Sequence, residues 1–193
     1  MARVGLNRSL VIATASKMAD RSGLDTISIA SLAAELKVKP PSLYNHIESI
    51  DAVLDELTLL SAAELLERSK EAIMGRSGQA AIRSLADAQR VYAKEHPALF
   101  FASLRSLHGR GAKMESIANA YLSVFLAVLY EYGCEGSDAL HTVRCLRAAI
   151  TGFIQLELRG GFGMPLDSDK SFHRLIDILT LGMQAQMQQK NPT

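Results

Sequence analysis

Apolar residues recur three and four apart in segment after segment of the chain, the spacing of helices that each bury one face. Val11, Ala15, Met18 and Ala19 form one such stripe, predicting a first helix that Asn7 or Ser9 would cap, that runs to about Arg21 and that Ser22-Gly23 ends. Ile29, Leu32, Ala33 and Leu36 define a short second helix with Ser28 at its N-cap. Prolines 40 and 41 open a third, because a proline in the first turn forfeits an N–H that has no intrahelical partner there anyway. A long fourth helix is expected from Ser49 to about Met74, a fifth from about Gln79 to Glu95, and a sixth from Pro97 up to Gly109. The seventh covers about Ala112 to Tyr132 and the eighth about Ser137 to Arg159. Ser168 would cap the ninth, with Phe172, Leu175, Leu179, Gly182, Met183 and Gln186 along one side. The expectation is an all-α chain of about nine helices: three in an N-terminal head over residues 1–48 and the rest in a bundle over residues 49–193.

The third helix departs from the pattern. In "VKPPSLYNHI" (38–47) only Leu43 and Ile47 can face a core, about 40° apart at 100° per residue. Asn45 and Pro41 point nearly opposite, Ser42 lies beside them, and Tyr44 and His46 flank the wedge. Two short helices joined by a tight turn, the second offering a polar outer face, match a helix-turn-helix, although a three-helix corner of an ordinary bundle gives the same periodicity.

Composition sharpens this only in places. Hydrophobic residues make up 48% of the 193, ample for a packed core, and the net charge is +1, too small for bulk attraction to nucleic acid. Its distribution is uneven: residues 1–47 hold six Lys and Arg against three Asp and Glu, a net +3, which leaves −2 for the remainder. Cys134 and Cys145 are too few for a disulfide framework and no leader-like segment opens the chain, so a cytoplasmic location is expected. The most apolar stretch, "YLSVFLAVLY" (121–130), falls short of the roughly 20 residues of a membrane span, so no membrane is implied. The five histidines show no zinc spacing, "RGGFG" follows a helix and reads as its C-cap, and no nucleophile elbow or phosphate loop is visible. No metal, cofactor or catalytic set is expected, and an enzyme is disfavoured.

The segment "GLDTISIASLAAELKVKPPSLYNHIESIDAVLDEL" (23–57) resembles the DNA-binding region of the TetR family of bacterial transcription regulators, and the helix order around it is similar to theirs. The likeness rests on the Ser28 cap, Ala33 and Leu36 in the bracing helix, Val38 in the turn, and the run Ser42 to His46. It implies that Lys39, Pro40, Pro41, Ser42, Tyr44, Asn45 and His46 face DNA. Asn45 has the chemistry to pair with adenine, Ser42 to meet a phosphate or base edge, and the proline rings to touch a thymine methyl. Tyr44, His46, Lys37 and Lys39 suit phosphates, as does Ser28 at a helix N-terminus. Lys37 occupies a turn position where the family commonly has Gly, and Ile50 one where a backbone-contacting Lys is common.

More loosely, "YAKEHPALFFASLRS" (92–106) and "LRAAITGFIQLELRGGFGMPLDSDKSFHRLIDIL" (146–179) are similar to the C-terminal domains of a family subgroup named for a Trp-His-Gly motif. Here Thr151-Gly152 stands in place of His-Gly and the chain has no Trp. The resemblance implies a small-molecule effector, a double-stranded DNA operator and a homodimer formed through the last two helices. Tyr92, Phe100, Phe101, Leu104, His108, Met114, Tyr121 and Phe125 are candidates for an effector pocket, with Arg105, His108 or Tyr121 as polar anchors, although simple core packing explains any one of them as well. Phe172, Leu175, Leu179 and Met183 are candidates for the dimer interface, with Gly152 and Gly182 permitting close helix approach. The expectation is a ligand-released repressor on a palindromic operator; the alternative is a helical ligand-binding or adaptor protein that does not bind DNA.

Overall fold

The structure is a computed structural model and describes residues 5–107 and 109–190. Among these it is all-helical: α1 (Arg8–Ser22), α2 (Ile29–Leu36), α3 (Pro40–Leu43), α4 (Ile50–Ile73), α5 (Gly78–Glu95), α6 (Pro97–Ser103), α7 (Ala112–Leu129), α8 (Gly136–Leu158) and α9 (Ser168–Lys190).

Caps set the first boundaries. Asn7 Oδ1 accepts from the Leu10 N–H at 2.8 Å, and Ser49 Oγ from the Ala52 N–H at 3.1 Å. Ser28 and Ser31 form a reciprocal capping box at the start of α2, each hydroxyl accepting from the other's backbone N–H. Val11, Ala15, Ala19, Leu32 and Leu43 are fully buried between the three head helices, and Ile47 nearly so. α4 continues this core without a break into the body, where Leu85, Tyr92, Phe100, Phe125, Ile150 and Phe172 are fully buried. α7 is on average apolar enough to pass for a membrane span by length and composition, and Phe125 and Leu129 bury one side of it in the body.

Three expectations need correction. α6 stops at Ser103 rather than near Gly109: Ser103 Oγ donates to the Phe100 carbonyl at 2.7 Å, and Arg105 and Arg110 leave the helical path to reach Asp55 on α4. At α9 the cap is Asp167, whose Oδ1 accepts from the N–H groups of Asp169 and Lys170, while Ser168 turns its hydroxyl to Arg90 at 3.2 Å. Part of the α9 stripe expected to meet a second copy, Phe172 and Met183, faces the chain's own body, while Gly182 stays exposed. Phe172 is fully buried, Met183 8% exposed, and Leu175 and Leu179 half-buried. Apolar positions left outside include Ile178 and Leu181, each more than 60% exposed, and Leu156 on α8.

Body helices α5, α8 and α9 are joined through one buried cation. Arg90 donates from Nε to Glu157 at 2.7 Å and pairs with Asp169 at 2.8 Å, and its guanidinium lies 4.8 Å from the centre of the Phe172 ring. That pairing draws the Glu157 carboxyl down to about 2, against the opposing cost of its burial.

Candidate nucleic-acid interface and effector cavity

α3 begins because Pro40 and Pro41 fix φ for its first turn, and the backbone stays coiled past Leu43, whose carbonyl accepts from the N–H groups of His46 and Ile47 at 2.8 and 3.0 Å. Leu43 and Ile47 anchor this segment inward. Pro40, Pro41, Asn45 and Tyr44 lie on the surface, Tyr44 at 59% exposure, with Ser42 and His46 half-buried beside them. Ser28, Lys37 and Lys39 are also exposed, so none of the nine residues expected at a nucleic acid is buried.

The turn before α3 carries backbone strain. α2 ends in a Schellman motif: the Val38 N–H reaches the Ala33 carbonyl at 2.9 Å and the Lys37 N–H the Ala34 carbonyl at 3.1 Å. This places Lys37 in the left-handed region, φ 55 and ψ 43, the only non-glycine residue among those described with positive φ. A side chain there costs on the order of 1 kcal/mol. The nearest acid, Glu35, is held by Arg21 at 3.0 Å, and Asp20 faces His96 at 2.8 Å, so the positive charge of Lys37 and Lys39 stays available outward.

The body holds a cavity of about 460 Å³, within the size range of small-molecule sites. Its walls come from α4 (Ala62, Leu65), the end of α6 and the loop after it, α7 and α8. Of the candidates, Leu104, Arg105, Tyr121 and Phe125 line it. Tyr121 and Phe125 meet edge to face at 5.3 Å, and burial pushes the Tyr121 phenol up to about 12, keeping it protonated. Tyr92 and Phe100 are absent from the lining and sit in the core. Burial raises the Tyr92 phenol, and Arg68 lies over its ring at 5.0 Å. Phe101 packs edge-on against Phe100 at 5.6 Å, also outside the cavity. Met114 is buried beside Leu107 and Ala62, behind the wall. His108 lies outside the described residues.

The lining also holds Arg144 and Arg147, which helical spacing alone does not single out. They stand one turn apart on α8, and Arg147 lies 5.6 Å from the Tyr121 ring centre.

An exposed polar recognition helix behind a capped bracing helix, set on a helical body with a cavity, defines a helix-turn-helix transcription regulator with a ligand-binding domain. Comparison with known proteins agrees. Residues 82–179 match the family described as "Tetracyclin repressor-like, C-terminal domain". The chain is 30% identical over 161 residues to the uncharacterized HTH-type transcriptional regulator YobS of Bacillus subtilis, covering 83% of each. Among solved structures, it aligns with a protein of unknown function from Rhodococcus sp. RHA1 at a TM-score of 0.77 and 20% identity, covering 94% of this chain and 97% of the other. It aligns with a minocycline complex of a TetR variant from Acinetobacter baumannii AYE at 0.69 and 20% identity, covering 95% and 99%. The chain belongs to the TetR family, and it is a DNA-binding, ligand-responsive transcription regulator.

Proposed function

We propose that the protein is a cytoplasmic, homodimeric one-component repressor, with residues 1–48 reading a palindromic operator and residues 49–193 binding an effector and pairing the two copies. The observation that carries the DNA-reading half is the division of α3 and the turn after it into an anchored side, Leu43 and Ile47, and an exposed side, Pro40, Pro41, Tyr44 and Asn45, with Ser42 half-buried beside it. Asn45 reads a base, Ser42 a base edge or phosphate, and the two proline rings a thymine methyl. Lys37, Lys39, Tyr44, His46 and the N-terminus of α2 at Ser28 hold phosphates.

Pairing uses the outer face of α8 and α9. Ile178, Leu181 and Leu156 are exposed there, and a Cβ added at Gly152 or Gly182 meets nothing within 4 Å in the protomer, so a neighbouring helix has room to approach. A two-fold pair spaces its recognition helices about one DNA turn apart, roughly 34 to 36 Å. The effector acts by favouring one setting of the heads over another; only its differential affinity for the two does work, typically about 1 to 3 kcal/mol.

Selection of bound duplexes from a random-sequence pool, at low salt and without effector, is expected to return a palindrome whose half-sites are about one turn apart. Failure to enrich any site would favour a helical adaptor that has no DNA target.

A further inference from the structure

The cavity in the body is apolar along α4 and α7, yet its lining includes Arg105, Arg144 and Arg147 and no acidic side chain. Such a lining concentrates positive charge at the cavity mouth, where Arg105 and Arg144 reach solvent and Arg147 is half-buried, and a cleft lined by one sign of charge draws the opposite one. The ion pairs among the described residues engage Arg105 with Asp55 at 3.6 Å and leave Arg144 and Arg147 outside them. Arg147 is held over the Tyr121 ring, so its donor edge is oriented in advance.

We infer that this cavity takes an amphipathic anion, an apolar body ending in a single carboxylate or phosphate, whose headgroup sits among Arg105, Arg144 and Arg147 and draws Arg105 away from Asp55. The inference rests on the effector reading above and names the effector's chemical class. The apolar body lies against Leu65, Leu107, Ile117 and Phe125. The headgroup meets planar guanidinium forks suited to paired N–H···O contacts. A cation is repelled from the same place, and a neutral lipophile brings no counter-charge to Arg144 and Arg147. The exchange at Arg105 has a consequence beyond binding: Asp55 lies on α4, six residues past the cap at Ser49 that follows the recognition helix, and Arg105 is one of two arginines that reach it.

The test uses four probes on the full chain: decanoate, decyl phosphate, decan-1-ol and decyltrimethylammonium, titrated by calorimetry with thermal unfolding as a second readout. Binding of at least one anion is expected. The alcohol should bind tenfold or more weakly than that anion, and the ammonium should not bind; the ratio of decanoate to decyl phosphate tells which headgroup is preferred. Arg144→Gln should weaken the bound anion roughly 10- to 100-fold, with Arg144→Lys falling between. Asp55→Asn releases Arg105 and should tighten it by up to roughly fivefold.

The inference is overturned if the alcohol or the ammonium binds as well as either anion, or if neither anion binds at millimolar concentration. Loss of affinity in Asp55→Asn overturns the exchange at Arg105. The headgroup series is run on the wild-type chain, so it decides the matter even where a substitution misfolds. Operator selection without any ligand tests the regulator reading separately, so the two can fail independently.

Discussion

Glu157→Gln should unpick the joint between α5, α8 and α9 while keeping the shape of the side chain. In the folded protein the carboxyl drops from an ordinary 4.5 to about 2, chiefly because Arg90 donates to it, with Ser168 and Lys94 adding smaller contributions. At about 1.4 kcal/mol per pH unit, that depression corresponds to about 3 kcal/mol of folding stability at neutral pH. Solvent takes little of it, since the side chains of Arg90 and Glu157 are only 8% and 13% exposed. The amide can still accept one bond from Arg90, and Asp169 still faces the guanidinium at 2.8 Å, so the expected loss is about 2 to 3 kcal/mol, or roughly 4–12 °C in Tm for a chain of this size. The sign of the pH dependence follows from the depressed value. The carboxylate's contribution is fully present above its unfolded pKa of 4.5 and is lost as pH falls through about 2, below which both states hold the proton. Urea unfolding of the two proteins from pH 7 to pH 2, at one fixed protein concentration, measures both quantities. A loss under 1 kcal/mol at pH 7, or a wild-type to variant gap that stays constant down to pH 2, would refute the reasoning.

Three further outcomes are expected. Asn45→Ala should relax base preference at one position in each half-site at a cost of about 1 to 3 kcal/mol, whereas Lys39→Ala should weaken all sequences alike and lower the salt slope by about 1; selection and salt titrations on the enriched duplex separate the two. Lys37→Gly should raise stability by about 0.5 to 1 kcal/mol in denaturant unfolding, by relieving the left-handed backbone at φ 55, while weakening DNA binding through the lost charge. Leu181→Glu, at an exposed apolar position on α9, should shift the protein toward monomer in sedimentation at micromolar concentration; an unchanged dimer would remove this face from the interface.

How much of this was legible in the sequence depended on whether a feature is local. The caps Asn7, Ser28 and Ser49, the proline start of α3 and the inward pair Leu43 and Ile47 each follow from spacing within a few residues, and the structure places them where that spacing puts them. The end of α6 was not legible, because "PALFFASLRSLH" keeps a helical pattern to its last residue and only the reach of Arg105 and Arg110 to Asp55, some fifty residues away, breaks it. The stripe on α9 was legible as an apolar face. Whether that face meets the same chain or another copy is a tertiary fact, and Phe172 and Met183 turn out to face inward. The exposed pair Ile178 and Leu181, three apart, was the sequence signal for an outer face. The cavity shows the same limit: helical spacing cannot tell a packed aromatic such as Tyr92 from one at the edge of a void such as Tyr121. Arg144 and Arg147 were the available clue, two cations a single turn apart on a helix whose other side is apolar.

The route from cavity to head is short and carries a direction. α6 begins at Pro97, and the residue before it, His96, faces Asp20 of α1 at 2.8 Å, so the helix whose far end walls the cavity is tied at its near end to the head. The wall also reaches α4 through Asp55, and α4 follows the recognition helix after a turn of a few residues. The seven-residue α6, packed through Leu99, Phe100 and Ala102, links the two ends, with His96 immediately before it and Arg105 two residues after it. Both ties act on the head from the side of the body, one through α1 and one through α4. On the proposed effector reading, an occupant of the cavity is expected to change where the recognition surface points and not which side chains it offers, so selection with and without an effector should return the same base sequence at different affinity.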